Sequence, residues 1–408
     1  MKTVNKRYPK YFREFKCIGG ECTDSCCIEW DIDIDKTTFR RYYKVKDADM
    51  KKMFQKNVHN NEYCSCDDID YGKVKLTEKK RCPFLDDKNY CVIQSNLGEE
   101  YLSNVCTSFP RITNKVDGVY ELSLDVSCPE AARILLLREE GIEFEERKES
   151  LGKHIISVEL NTKNKESLLP VEHFNAMREL SIQIVQNRNY SIDERLYILG
   201  EFINEVENEA QNNYDNLDSF IKNYDIEFDK ESHSKNTMNY IIQIDFFNNI
   251  LGLIDIEKEF DSDKFKELTK IVRKSFNLEN FAQVVSEKDF YIDKFEKYNK
   301  EVIEKNSYIF ENYLVNFIYS NMFPFSEVQS IFDGYIMLLL RYEFIKFYLM
   351  GIDINDKKQS VMEIVEFIQL FSKVVGHHSS YTQKILKHIK KNELNNINFM
   401  ENILLVIE

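Results

Sequence analysis

Cys17-Ile-Gly-Gly-Glu-Cys22-Thr-Asp-Ser-Cys26-Cys27 crowds four thiols into eleven residues. Six more follow in Cys64-Ser-Cys66, Cys82-Pro-Phe-Leu, Cys91-Val-Ile, Cys106-Thr-Ser-Phe-Pro-Arg and Cys128-Pro-Glu-Ala-Ala, and no cysteine lies beyond Cys128 in a chain of 408 residues. Ten thiols confined to the first third define a cysteine-built region with a separate body attached. Short loops such as Cys17–Cys22 close at modest entropic cost, so they can wrap one side of a single centre. Gly19-Gly20 supplies the backbone freedom that such a loop needs.

The compartment decides between disulfide and metal. The chain opens Met-Lys-Thr-Val-Asn-Lys-Arg-Tyr-Pro-Lys with no apolar run after it, so no secretory signal is read and a cytoplasmic location is expected. A reducing compartment disfavours structural disulfides, and thiols so grouped are then read as ligands for zinc or iron. Cys17, Cys22, Cys26, Cys27, Cys82, Cys91, Cys106 and Cys128 make eight candidate metal ligands. That is enough for two four-thiolate sites, or for one cluster with further thiols around it. Neighbouring side chains diverge, so Cys26-Cys27 serves two centres, or one centre and a core position. Cys64-Ser-Cys66 is the weaker pair. Spacing does not separate zinc from iron–sulfur. The Cys-x3-Cys-x2-Cys triplet common in radical enzymes fails because Glu29 stands in its third place, and no ferredoxin-type run occurs.

The fold class expected is mainly α: a small irregular α+β cysteine-rich domain over residues 1–138, a charged connection over 139–169 with a small hairpin near 153–160, and a helical domain over 170–408. Ile28–Ile34 and Tyr120–Val126 alternate apolar with polar residues, the period of a half-buried strand. From Pro170 onward the period becomes helical. Ser191-Ile-Asp-Glu194 is a capping box opening the apolar series Leu196, Ile198, Leu199, Phe202, Ile203 and Val206. Further helices are expected near 262–276, 287–305, 308–321, 326–350, 355–375, 380–391 and 395–407. The run Ile331–Met350 carries Asp333, Arg341, Glu343 and Lys346, whereas a membrane span needs roughly 20 mostly uncharged residues. It reads as a buried amphipathic helix, and no transmembrane segment is expected. The net charge of −14 argues against nucleic acid as a partner. With 43% hydrophobic and 30% charged residues, the composition is that of an ordinary globular protein rather than a disordered one.

Phe-Lys-Cys17, Cys22, Cys26-Cys27-Ile-Glu-Trp30, Arg-Cys82-Pro-Phe-Leu, Cys91-Val-Ile, Cys106, Phe-Pro110-Arg111 and Ser-Cys128-Pro-Glu-Ala, taken in this order, resemble the flagellin lysine-N-methylase (FliB) family. The cysteine-rich part is also similar to the wider class of zinc- or iron-chelating Cys-Cys domains. Downstream, Glu311-Asn-Tyr-Leu-Val-Asn-Phe-Ile-Tyr-Ser-Asn-Met-Phe-Pro324-Phe resembles a signature segment of the same family. The resemblance implies S-adenosylmethionine-dependent methylation of lysine side chains on flagellin. It also implies an oxygen-sensitive [4Fe–4S] cluster whose ligands fall on the eight cysteines named above, zinc being the alternative metal. The rival readings are a non-catalytic zinc- or iron-binding module whose helical body docks a partner, and a redox or maturation factor.

Lysine has a pKa near 10.4, so methyl transfer needs a base or a desolvating pocket; no residue stands out as that base. No Gly-x-Gly occurs anywhere, which excludes a Rossmann-type cofactor loop. Arg111 is the candidate grip for the methionyl carboxylate of the cofactor, a structural ion pair being the plainer alternative. Trp30 is placed to shield a cluster or to pack in the core. The pair His377-His378 suits a metal or simply solvent, and Glu311–Phe325 suits core packing before a substrate groove.

Overall fold

The structure, a computed structural model, describes residues 3–163, 170–212, 217–228, 236–325, 330–354, 359–376 and 378–404. It divides into two compact units, residues 1–134 with 143–160, and residues 135–142 with 161–408.

The first unit is built on eight strands: β1 (Thr3–Pro9), β2 (Asp33–Ile34), β3 (Val58–Asn60), β4 (Gly72–Val74), β5 (Arg111–Val116), β6 (Val119–Leu124), β7 (Phe144–Ser150) and β8 (Ile156–Leu160). A five-stranded mixed sheet runs β7-β1-β6-β5-β8, and a three-stranded antiparallel sheet runs β2-β4-β3. The β5–β6 hairpin turns at Asp117-Gly118, both with positive φ (48° and 85°), the backbone that an Asp-Gly turn supplies best. Residues 144–160 supply two strands of this sheet rather than a charged connection; β8 falls where a small hairpin near 153–160 is expected, but it pairs in parallel with β5. Both strands lie at the sheet's edges, where charged side chains face solvent and block further pairing. The alternating Tyr120–Leu124 run is in β6, as its period predicts. Ile28–Ile34 yields only β2 and an isolated bridge from Ile28 to Arg81.

Helices α1 (Lys36–Tyr43), α2 (Ala48–Asn57), α3 (Val92–Leu97) and α4 (Asn104–Ser108) complete the unit, and α5 (Pro129–Leu136) carries the chain out of it. Its core gathers Ile34, Phe39, Tyr42, Phe54, Phe84 and Ile93, with Tyr42 stacked on Phe54 at 3.8 Å.

The second unit is helical: α6 (Phe174–Val185), α7 (Ile192–Asn212), α8 (Leu217–Lys222), α9 (Asn239–Leu253), α10 (Ile256–Glu259), α11 (Asp263–Ser275), α12 (Phe281–Ser286), α13 (Lys288–Tyr298), α14 (Ser307–Ser320), α15 (Ile331–Asp353), α16 (Val361–Phe371), α17 (Ser379–Lys391) and α18 (Ile397–Ile403). Helices α7, α11 and α13 to α18 fall where the periodicity places them, although 326–329, 355–358 and 405–408 lie outside the described residues; α6, α8, α9, α10 and α12 are additional to the expected segments. The Ser191 box closes reciprocally, Ser191 N donating to Glu194 Oε2 at 2.6 Å and Glu194 N to Ser191 Oγ at 3.3 Å. Helix α15 departs from expectation: every residue from Ile331 to Gly351 is buried, so it has no polar face. A helix apolar on all sides is a core helix, and its four charged residues need partners inside the protein. No helix among the described residues is long and apolar enough to cross a membrane.

Candidate functional site

All ten cysteines belong to the first unit, and all are free thiols. Local structure explains how the distant ones gather. Cys82 N donates to the Cys27 carbonyl at 2.9 Å, beside the Ile28–Arg81 bridge. Phe84, two residues on, plugs the core, and Val92 N returns to the Phe84 carbonyl at 2.8 Å, so the loop between Cys82 and Cys91 closes on itself. Buried Asp35 sets Cys106. One carboxylate oxygen caps α1 at Thr38 N (2.9 Å) and the other accepts from Asn104 N (2.9 Å) at the start of α4. Ser103 Oγ then caps Cys106 N at 3.2 Å. Cys91 is the N-cap of α3 and Cys128 immediately precedes α5. Backbone N–H groups of Ile93 and Gln94 point at the Cys91 sulfur, and those of Glu130 and Ala131 at Cys128. Such donors favour the thiolate.

The eight candidate ligands share one electrostatic neighbourhood. Desolvation raises the thiols of Cys22 and Cys91, and pushes Cys82, Cys106 and Cys128 up to about 12. Mutual repulsion adds to this. Cys82 feels Cys27, Cys106 and Cys91, Cys128 feels Cys22 and Cys17, Cys22 feels Cys17 and Cys27, and Cys26 feels Cys106 and Cys128. Cys26 and Cys27 hydrogen-bond each other. That bond raises Cys26, and it lowers Cys27, with Ser25 and Arg81 acting in the same direction. Cys106 is exposed at the surface, and desolvation is the main cause that raises its thiol. As they stand, however, no three His, Cys, Asp or Glu side chains among the described residues converge tightly enough to grip one ion. The donors fit a thiolate-bound metal in kind and in neighbourhood, but not in convergence.

The weaker pair stands apart. Cys64 and Cys66 flank a turn wound on Asp70, which accepts from Ser65 N (3.0 Å) and Cys66 N (2.7 Å). These bonds hold the Asp70 carboxyl well below the usual range. Trp30 is half-buried and packs edge-on against Phe109 at 5.0 Å. His378 Nε2 lies 3.1 Å from the Glu259 carbonyl oxygen; His377 lies outside the described residues. Arg111 forms no ion pair among the described residues. It stacks over Phe15 at 5.0 Å and lines a cavity of 310 Å³.

The second unit holds a charged constellation that pattern reading missed. Lys346 Nζ lies 2.9 Å from Asp193 Oδ2 and 3.5 Å from Glu343 Oε1. Tyr342 donates to Asp193 Oδ1 at 2.9 Å, and Gln243 to Glu343 Oε2 at 2.9 Å. Desolvation raises Glu343. Burial opposes the charge on Lys346, but Asp193 and Glu343 outweigh it and raise its pKa. Nearby, buried Glu311 receives Arg195 Nη1 at 2.8 Å and Arg188 through two nitrogens at 2.9 Å each. The one sequence signal for this network was the set of charges inside Ile331–Met350. Asp193, Arg195 and Arg188 also line an 870 Å³ cavity with Tyr240, Glu296, Glu301 and Glu304, and a π-helical turn over Asn299–Ile303 forms part of its wall. Such turns concentrate at functional sites.

A helical body of this kind, preceded by a thiol-rich unit, defines a cysteine-rich protein with a large mixed-charge cavity in its α-domain. Residues 178–403, more than half of the chain, match the FliB lysine N-methylase C-terminal domain, and the chain belongs to the FliB lysine N-methylase family. Among curated relatives, the flagellar biosynthetic protein FliU of Salmonella muenchen is 33% identical over 161 residues, 38% of this chain and 90% of that relative. The lysine-N-methylases of Salmonella typhimurium and Salmonella choleraesuis are each 29% identical over 208 residues, 50% of this chain. The chain thus spans about half (48%) of the length of those two relatives. No solved structure matches.

Proposed function

We propose that the protein is a cytoplasmic enzyme that methylates lysine side chains of a protein, flagellin, with S-adenosylmethionine as methyl donor. The match of residues 178–403 to the lysine N-methylase domain carries this reading, and the flagellar name of one relative supports the choice of target. Cys17, Cys22, Cys26, Cys27, Cys82, Cys91, Cys106 and Cys128 are the residues that would hold a [4Fe–4S] cluster, with zinc the alternative. Such a cluster would supply an iron able to bind the cofactor where one position lacks a protein thiolate; Cys17, Cys26 and Cys106 are the exposed thiols among the eight.

The chain's own task is to bring a neutral amine to the methyl group. An acceptor lysine arrives protonated and must lose its proton before attack. We assign its entry to the 870 Å³ cavity of the helical unit, where six carboxylates face four cations. That excess suits an incoming ammonium.

Anaerobically purified protein incubated with methyl-labelled S-adenosylmethionine and flagellin is expected to place label on flagellin lysines. An intact metal centre with no labelled lysine would sink the enzymatic reading and leave the binding module. Iron, zinc and acid-labile sulfide measured together decide the metal; stoichiometric zinc without sulfide rules out the cluster.

A further inference from the structure

The 310 Å³ cavity of the first unit has a chemistry of its own. Its lining includes Lys6, Arg111 and Lys153 against a single carboxylate, Glu99. The two lysines are already spoken for. Lys6 Nζ donates to the Ser150 carbonyl at 2.7 Å, and Lys153 Nζ to the carbonyls of Glu100 (3.0 Å) and Leu102 (2.8 Å). The Arg111 guanidinium has its stacking contact with Phe15 but no carboxylate among the described residues. Beside it, Thr107 Oγ1 and Ser108 Oγ are buried without a hydrogen-bond partner. A buried hydroxyl left without a partner is costly, so two on residues that line one cavity point to a ligand that satisfies them. Hydroxyl donors beside a free guanidinium and two further cations complement a carboxylate. A cavity near 310 Å³ admits the end of a small molecule rather than a folded partner.

We propose that this cavity binds the α-amino-acid end of a small ligand, its carboxylate paired with Arg111 and hydrogen-bonded by Thr107 and Ser108. Thr107 and Ser108 directly follow Cys106 in sequence, and Arg111 stands five residues after it. On the functional reading above, from which the identity of the ligand follows, it is the methionyl end of S-adenosylmethionine. The cavity's preference for a carboxylate stands without that reading.

The test measures binding to the anaerobically isolated full chain by calorimetry, with three probes: S-adenosylhomocysteine, 5′-methylthioadenosine (which lacks the amino-acid end) and L-methionine. Arg111→Ala is expected to weaken S-adenosylhomocysteine roughly 10- to 100-fold, the loss of one charge-assisted pair, and to leave 5′-methylthioadenosine unchanged. Ser108→Ala should act in the same direction more weakly, and Arg111→Lys should restore part of the loss. An unchanged thermal midpoint keeps a folding defect out of the comparison. Tight S-adenosylhomocysteine binding that ignores Arg111 overturns the carboxylate site and spares the methylase reading. Arg111-dependent binding of L-methionine without any S-adenosylhomocysteine binding upholds the site and sinks the cofactor assignment. Absence of binding by both amino-acid probes overturns the site.

Discussion

The backbone amide of Cys82 is hydrogen-bonded to the carbonyl of Cys27 at 2.9 Å, so two thiols far apart in sequence leave adjoining backbone. Cys91 joins them across the loop pinned by Phe84. If this trio is part of the metal site, Cys82→Ala should lose most of the iron and sulfide of anaerobically purified protein. Cys64→Ala and Cys66→Ala should retain both, because that pair is wound on Asp70. Metal analysis of the three variants decides it; full iron in the Cys82 variant removes this group from the site.

The site can also be tested without touching a sulfur. Gly19 has φ +56°, and a Cβ on Gly20 would run into the Lys88 carbonyl oxygen and the Tyr90 ring. The Cys17–Cys22 loop therefore lies directly on the loop that joins Cys82 to Cys91, an approach only glycine permits. Gly20→Ala should push the loops apart and lower metal content while leaving the rest of the unit folded. Circular dichroism and iron content, read together, check it. Gly118→Ala is the control: a Cβ there meets nothing within 4 Å, and the strain of its positive φ falls on the β5–β6 turn, so its metal content should match wild type.

Glu311 opens the segment that resembles a family signature, and its buried carboxylate (1% exposed) is bound by two arginines. Glu311→Ala strands Arg195 inside the protein, and breaking a buried pair in this way costs about 3–5 kcal/mol. Arg188→Ala should cost under about 1 kcal/mol, because its side chain is 46% exposed and Arg195 still holds Glu311. Chemical denaturation of both variants measures the contrast; equal losses would show that Glu311 is not anchored through Arg195.

The helical body was legible because helix signals are local. The Ser191–Glu194 box and the 3.6-residue period place α7, α11, α14 and α17 within a few residues of their observed ends. The edge strand β7 was not legible, because Phe144–Ser150 faces solvent and a charged edge strand looks like a linker. The thiol neighbourhood was visible as a list of residues. Asp35, which ties α1 to α4 and so seats Cys106, was invisible, since nothing local marks a carboxylate that caps two helices. Pairs such as Asp193 with Lys346, 153 residues apart, are set only by tertiary packing.

Glu343 gives a pH test of that packing. It is fully buried, and desolvation pushes it up to about 8 from 4.5, against the pull of Lys346. A carboxyl whose pKa is raised on folding holds its proton more tightly in the native state. Its contribution to stability is then complete below pH 4.5 and is lost as the pH climbs through about 8. Glu343→Gln has no such proton to release, and Lys346 keeps Asp193 at 2.9 Å, so the variant should fold. The expected outcome is a wild-type unfolding free energy that falls relative to the variant across this window and runs parallel to it above. Denaturant titrations at stepped pH read the difference directly, and parallel curves throughout would mean that Glu343 does not carry a displaced proton in the folded chain.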